Sequence, residues 1–501
     1  MNALTNEQVS VVNSSEHRLV VNAFAGTGKT STLVEFAKAR GNKKILYLAF
    51  NKSIREEATH RFGSYANCKT THGLAYSDFG AIYQGKLGNL RVNDVKNLFG
   101  VSYEQAIQAI SVVEQYLTSV YPSLDDEFIK LKLPGIGPYG VPRMVATCQA
   151  IWKAMQAAQG DATKFKLPMT HNGYLKLYHL SGKPIDADIV LFDEAQDANP
   201  LVIDLVLRHQ GQSVIMGDSY QAIYGFNYAK DALTSFDAQK TLFLTHSFRF
   251  GQGIADVATA LLREWRGCTQ EIVGHGPESV FHVNKELPYA SLHRTNSTLF
   301  DSCVSLVNSK KEFGLIGGIA GYKFDKILSA YYLSRNMKTH VTDANLKGFP
   351  SFAEFETYAE TTKSLEDLFL IRVVREHGHQ IPKLIDQIKS KAKEITTDTM
   401  NITMPVLTTV HKSKGLEFKQ VVMAPDYCEL STKLNPRTGN IDKPDDEEVH
   451  LSYVGLTRAT KNISVSRQMG DWLMQTKQYP DRKSAKPVKQ KPVDQFDDCP
   501  F

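Results

Sequence analysis

The chain has 501 residues, 42% of them hydrophobic and 22% charged, with a formal charge of +5 and a pI near 8.6. That is enough apolar material for about three or four packed units, and the mildly basic balance permits a polyanionic partner without demanding one. The six cysteines, Cys68, Cys148, Cys268, Cys303, Cys428 and Cys499, show no paired spacing, which argues against a zinc site or a disulfide framework. Neither a basic start with an apolar core nor a run of about eighteen apolar residues is found, so a reducing cytoplasm is the expected setting and no membrane partner is expected.

Near the N-terminus, Asn6 is placed to cap a short helix carrying Gln8. Its amide offers a donor and an acceptor together, which suits the edge of adenine; the alternative is an exposed helix residue. Leu19 to Val21 form a short apolar strand that runs into Ala23-Phe24-Ala25-Gly26-Thr27-Gly28-Lys29-Thr30-Ser31, and a helical pattern follows to Phe36. A Gly-rich turn between strand and helix leaves N–H groups facing inward, and these attract phosphate. Lys29 is expected to reach the β- and γ-phosphates, and the Thr30 hydroxyl to hold Mg²⁺. The strict pattern has glycine where this chain has Ala23.

Ile45 to Phe50 reads as a buried strand and Asn51 to Ala58 as the next helix, the start of an alternating β/α order and hence a mostly parallel sheet. Lys69-Thr70-Thr71-His72-Gly73 closes another strand. From about Ala75 to Ile185 the rhythm fades into helical stretches broken at Leu133 to Pro138, the pattern of an inserted subdomain. Ile189 to Phe192 restores the rhythm and ends in Asp193-Glu194-Ala195-Gln196-Asp197. An apolar strand ending in adjacent carboxylates complements a phosphate loop. Asp193 is expected to position Mg²⁺ through its water shell, and Glu194 to orient and deprotonate the attacking water; a plain helix cap is the alternative.

Ser213 to Met216 is a further strand leading to Gly217-Asp218-Ser219-Tyr220-Gln221 and on to Phe226. Leu242 to Leu244 leads to Thr245-His246-Ser247-Phe248-Arg249-Phe250, and an arginine at such a strand end either reaches a γ-phosphate or forms a surface ion pair. A second β/α series then begins. Leu292-His293-Arg294 follows a strand, residues 305–400 read as a second insertion, and the series resumes with Val406 to Phe418 and the strand Gln420 to Ala424. Glu447 to Arg458 fits a helix with Leu451 and Val454 or Leu456 on one apolar side, and Asn462 to Ser466 a closing strand.

In this order and at these spacings, the blocks from Gln8 to Arg458 resemble the motifs of superfamily 1 DNA helicases of the UvrD/Rep type. The wording of Ala23 to Leu33, Phe50-Asn51-Lys52-Ser53-Ile54, Cys68-Lys69-Thr70, Gly173 to Leu177 and Ser247 to Gly251 is most similar to the F-box DNA helicase branch, with no F-box expected before the first motif. The resemblance implies an α/β fold of two RecA-like P-loop cores with parallel sheets, each interrupted by a mainly helical insertion. The cores are expected at 1–74 with 186–245 and at 246–304 with 401–472, the insertions at 75–185 and 305–400. It implies ATP with Mg²⁺ in the cleft between the cores, and 3′-to-5′ movement on single-stranded or partly duplex DNA.

By that resemblance the loop from Ala25 to Ser31 binds the triphosphate, Phe248 stacks on the adenine that Gln8 reads, and Glu417 meets the ribose. Gln221, Arg249 and Arg458 join Lys29 and Glu194 in sensing and hydrolysing the γ-phosphate. Phe50, Asn51, Lys52, Thr71, His72, Phe226, Arg294, Thr409 and His411 are the implied DNA contacts, since aromatics on bases and polar groups on phosphates give sequence-tolerant binding. Asn227-Tyr228 replace a basic residue and a glycine of the family pattern, and the small second insertion suits unwinding that is weaker than translocation or regulated differently from it. A translocase that strips proteins from DNA and a nucleotide-gated DNA-binding protein are the alternative readings.

Lys477 to Pro492 is rich in Lys, Pro and Gln and reads as a flexible tether. Asp497, Asp498, Pro500 and Phe501 then resemble the acidic Pro-Phe tip of bacterial single-stranded-DNA-binding proteins, which implies docking to proteins that recognise that tip.

Overall fold

Runs such as Leu19-Val20-Val21 and Ile189-Val190-Leu191-Phe192 are apolar at every position, the pattern of strands covered on both faces by helices. The computed structural model describes residues 3–157, 167–224, 232–343, 345–362, 364–396, 403–430 and 443–476. Its first sheet comprises β1 (Arg18–Ala23), β2 (Ile45–Ala49), β3 (Asn67–Thr70), β4 (Ile189–Phe192), β5 (Gln212–Gly217) and β6 (Lys240–Leu244). All are parallel, in the order β3-β2-β4-β5-β1-β6. A short parallel ribbon of β7 (His246–Ser247) and β8 (Val273–Gly274) follows.

The second sheet comprises β9 (Ala290–His293), β10 (Phe313–Ile316), β11 (Ala392–Ile395), β12 (Val406–Thr409), β13 (Phe418–Met423) and β14 (Ala459–Ser464). It too is parallel, in the order β11-β10-β12-β9-β13-β14. Two such sheets flanked by helices are the two RecA-like cores.

Side chains alternate across the first sheet. Leu19, Val21 and Tyr47 pack on one face with Leu33 and Phe36 of the helix after the loop. Val20, Leu46, Val190 and Ile215 face the other way, into a core continuous with Val113, Ile151 and Tyr174 of the first insertion. Phe313, Leu315 and Leu407 of the second sheet share a core with Ile327, Leu370 and Ile385 of the second insertion. A further core gathers Phe24, Ala25 and Ile223 from the first half with Val421, Tyr453 and Ile463 from the second, so the halves meet on apolar ground.

Three expectations need correction. The helix carrying Gln8 (Asn6–Val12) is capped by Thr5, not Asn6: Thr5 Oγ1 accepts from Gln8 N at 3.2 Å while Gln8 Oε1 accepts from Thr5 N at 3.0 Å, a reciprocal capping box. The stretch 305–400 is not all insertion, because β10 and β11 inside it pair with each other and β10 pairs with β12. Four-residue strands carry too little pattern to separate them from the helices between. The helix Asp446–Leu456 is buried all round from Val449 to Leu456 rather than on one side, because it fills the seam between the two halves.

Candidate active site

β1 hands the chain to the Gly-rich loop, and the helix Lys29–Lys38 starts with no side-chain cap on its first amides. Its N-cap, Gly28, has φ 78° and Gly26 has φ 77°, left-handed values that favour glycine. At Gly26 space demands it too, since a Cβ there would lie 2.5 Å from Arg249 Cβ and 2.6 Å from Ser247 Oγ. The loop is thus shaped to let an arginine from the far side settle against its backbone.

Two chambers meet at Gly26. The larger, about 660 Å³, is bordered by Gln8, Gly28, Ser31, Arg61 and Phe248. The smaller, about 100 Å³, is bordered by Lys29, Glu194, Gln221, Arg249 and Arg458. The first has room for a base with its ribose, flanked by an amide and by Phe248, which is 44% exposed. The second is phosphate-sized and lined by the cations Lys29, Arg249, Lys414 and Arg458 together with the carboxylates of Glu194 and Asp197.

Lys29 Nζ stands 3.3 Å from Glu194 Oε1. Burial opposes the lysine's charge, yet Glu194, Asp218 and Asp193 outweigh it and hold the ammonium above its ordinary value. Burial likewise pushes the Glu194 carboxyl up, but Lys29 and Lys414 with a hydrogen bond from Gln196 (2.6 Å) prevail and bring it down to about 2. Glu194 is therefore ionised at neutral pH, as a group that orients water must be. It also sits at φ 52°, a costly backbone for a non-glycine residue and common at functional sites.

Asp193 is held by neutral donors: Tyr47 Oη at 2.7 Å, Glu194 N at 2.9 Å and Thr30 Oγ1 at 3.3 Å. Burial and then the Glu194 charge push its carboxyl up. A buried carboxylate beside a hydroxyl is a hard-oxygen donor set that fits Mg²⁺.

The second half contributes the remaining cations. Arg458 is 1% exposed and, among the described residues, donates to neutral acceptors: Val454 O at 3.0 Å, Leu416 O and Thr457 Oγ1 at 3.3 Å, and Gln221 Oε1 at 3.5 Å. Burial, with Arg249 adding, brings its pKa to about 9, so it stays charged at neutral pH. Arg249 bonds Glu417 through Nη2 (2.7 Å) and Nε (2.8 Å) and donates to Thr457 O. Glu417, expected at the ribose, is thus engaged with Arg249.

Several residues of the site lie outside the sequence-based set. Asp197 and Lys414 form a buried ion pair across the seam, and Lys414 Nζ also donates to Gln221 O at 2.7 Å. Tyr453 Oη accepts from Ala25 N (3.1 Å) and donates to Asp218 Oδ2 (2.9 Å), tying the loop to the second half. Asp197 and Lys414 stand inside motifs read from the sequence; Tyr47 and Tyr453 carry no local signal of their partners.

Residues 7–227 match the model of the AAA domain, and residues 328–469 match that of the UvrD-like helicase C-terminal domain. With these two matches the chain is similar to the UvrD-type helicases of superfamily 1. It is 29% identical to F-box DNA helicase 1 of Gallus gallus over 508 aligned residues, covering 93% of this chain and 49% of the relative. It is 28% identical to F-box DNA helicase protein 1 of Schizosaccharomyces pombe, covering 92% and 57%. The chain thus spans about half the length of these curated relatives.

The implied DNA contacts cluster at the C-terminal ends of parallel strands, where α/β sheets place their ligands. Phe50, after β2, stacks on Tyr224 with centroids 5.7 Å apart, and it borders the small chamber with Asn51. Asn51 caps the helix Lys52–Phe62 by accepting from Ile54 N at 2.9 Å, while Lys52 is exposed. Thr71 and His72 follow β3. His72 Nε2 meets Asn172 Oδ1 of the first insertion at 3.0 Å, and burial lowers its pKa.

Arg294, after β9, is forked onto Glu448 (Nη2 2.6 Å, Nε 2.9 Å), so its guanidinium is already matched. Thr409 is buried at the end of β12, and burial pushes His411 down to about 4. Phe226 and the tail residues Asp497, Asp498, Pro500 and Phe501 lie outside the described residues. Among the described residues no helix is long and apolar enough to cross a membrane.

Proposed function

We propose that this chain is an ATP-dependent DNA helicase or translocase that moves 3′ to 5′ on single-stranded DNA in the cytoplasm, in replication, recombination or repair. The observation that carries the reading is the convergence of Arg249, Gln221 and Arg458 with Lys29 and Glu194 around one phosphate-sized chamber between two sheets. A γ-phosphate there draws the halves together and its loss releases them, which is how a hydrolytic cycle drives alternating grips on a strand.

Each residue has a definite share of the chemistry. Lys29 and the amides of the loop hold the β- and γ-phosphates, and Glu194, kept ionised, orients water and takes its proton. Arg458, charged and hydrogen-bonded to neutral acceptors among the described residues, meets the charge that develops on the transferred phosphoryl group. Thr30 and Asp193 are the residues that would hold Mg²⁺, which supplies Lewis-acid neutralisation of the phosphate oxygens.

The test is steady-state ATP hydrolysis with and without single-stranded DNA. DNA is expected to stimulate turnover strongly, and Lys29→Ala and Glu194→Gln to lower kcat by about 10²- to 10⁴-fold. Hydrolysis indifferent to DNA would sink the motor and favour a nucleotide-gated binding protein. A strand-displacement assay beside a protein-displacement assay separates unwinding from stripping. The acidic Pro-Phe end is proposed to dock onto proteins that recognise the tip of single-stranded-DNA-binding protein, and deletion of Pro500 and Phe501 should abolish their pull-down.

A further inference from the structure

Phe248 borders the larger chamber, and a second aromatic ring packs beside it. His275, which does not border the chamber, lies against the Phe248 ring with centroids 5.8 Å apart and planes 26° apart. His275 is in turn fixed by His246: Nδ1 of His246 and Nε2 of His275 are 2.6 Å apart, and the two rings are within 11° of parallel with centroids 4.9 Å apart. So short a nitrogen separation at that centroid distance means two rings meeting edge to edge, nearly coplanar, through one N–H···N bond. They do not lie face to face.

The backbone enforces the arrangement. β7 and β8 pair His246 with Val273 and Ser247 with Gly274, and His275 N donates to Ser247 O at 2.7 Å. Gly276 N donates to Phe250 O at 2.9 Å, and a Cβ on Gly276 would lie 2.5 Å from Phe250 N, so the strand after β8 is pressed onto the Phe248 segment. Phe248 N itself donates to Gly26 O at 2.9 Å, which registers the whole ribbon against the phosphate loop.

We propose that His275 is a positioning residue for nucleotide binding: held in plane by His246, it packs beside the Phe248 ring and limits the angles at which that ring receives the base. The inference rests on Phe248 as the base-stacking residue. A half-exposed ring with nothing packed beside it would rotate about χ1 and χ2, and each nucleotide captured would have to still it. A ring already packed against His275 meets the base with part of that freedom removed, which lowers the cost of binding without touching the phosphate chemistry.

The experiment measures KM for ATP and kcat for the full chain with single-stranded DNA present, in His275→Ala, His275→Phe and Phe248→Ala. His275→Ala is expected to raise KM about three- to tenfold, with kcat unchanged. His275→Phe restores the neighbouring ring and is expected to return KM to within about twofold of the parent. A separation of KM from kcat, recovered by a ring that cannot hydrogen-bond, is not what general loosening of the fold produces. Unchanged KM in His275→Ala, equal loss in both His275 variants, or a parallel fall in kcat each overturns the proposal. Phe248→Ala tells that failure from a failure of its premise: if KM is unmoved there, Phe248 does not carry the base, whereas a raised KM there with a normal His275→Ala removes only the role of His275.

Discussion

Arg458 and Lys414 are both cations buried at the seam, and they differ in what they face. Lys414 is paired with Asp197, whose side chain is 1% exposed. Burial raises the Asp197 carboxyl to about 6 even with Lys414 beside it. Removing the lysine strands that carboxylate, and breaking a buried pair from one side typically costs about 3–5 kcal/mol. Among the described residues Arg458 donates to neutral acceptors, and the nearby Glu417 and Glu194 are paired with Arg249 and Lys29, so its removal breaks no ion pair and relieves the cost of burying its own charge. Arg458→Met is therefore expected to abolish ATP hydrolysis while leaving the melting temperature equal or higher. Lys414→Met is expected to lower stability by about 3–5 kcal/mol in denaturant titration. Equal destabilisation by the two would show that Arg458 is a structural cation and not one reserved for the phosphate.

The helix Asn6–Val12 is only seven residues long, too short to persist without help. Its capping box supplies that help and at the same time fixes Gln8, whose Nε2 donates to Thr27 O at 3.2 Å across the larger chamber's wall. Thr5→Ala is expected to cost about 1 kcal/mol of stability and to raise KM for ATP with little change in kcat, because Gln8 loses its orientation rather than its amide. A normal KM with reduced stability would confine Thr5 to the cap. The elements behave in the same way for the sequence reading: Arg249 stands open between a γ-phosphate and an ion pair until the family resemblance is added, whereas the phosphate loop and β4 with its two acids were legible because strong local pattern and chemistry coincide there. β10 and β11 were not, since strands of four residues acquire their identity only from the neighbours they pair with. Nor was the all-round burial of Asp446–Leu456, which follows from two halves closing on one helix and leaves no trace in its periodicity. The engagement of Glu417 by Arg249 was equally hidden, being a contact between residues 168 positions apart.

At the scale of the whole molecule the two insertions are rooted in different sheets, the first in the core beneath β1, β2, β4 and β5, the second in the core beneath β10 and β12. They nevertheless touch. Tyr103, at the start of the helix Tyr103–Leu117, meets Phe349 and Tyr358 edge to face at 5.7 and 6.5 Å, and Gly348 lies against the same ring. Burial pushes the Tyr103 hydroxyl up to about 12, with Tyr358 adding to the effect, so the ring is neutral and apolar at any working pH. Two edge-to-face pairs contribute about 0.5–1.5 kcal/mol each, far less than either insertion's attachment to its own sheet. The contact should therefore open locally while both cores stay folded. Tyr103→Ala is expected to speed amide exchange about five- to tenfold in the turn Leu346–Gly348 and the helix Phe352–Thr362. Exchange in β1, β4, β9 and β12 should not move. Acceleration that spreads into those strands would mean that the aromatic contact helps hold the two sheets in place; exchange unchanged everywhere would mean that the insertions are kept together by something other than these rings.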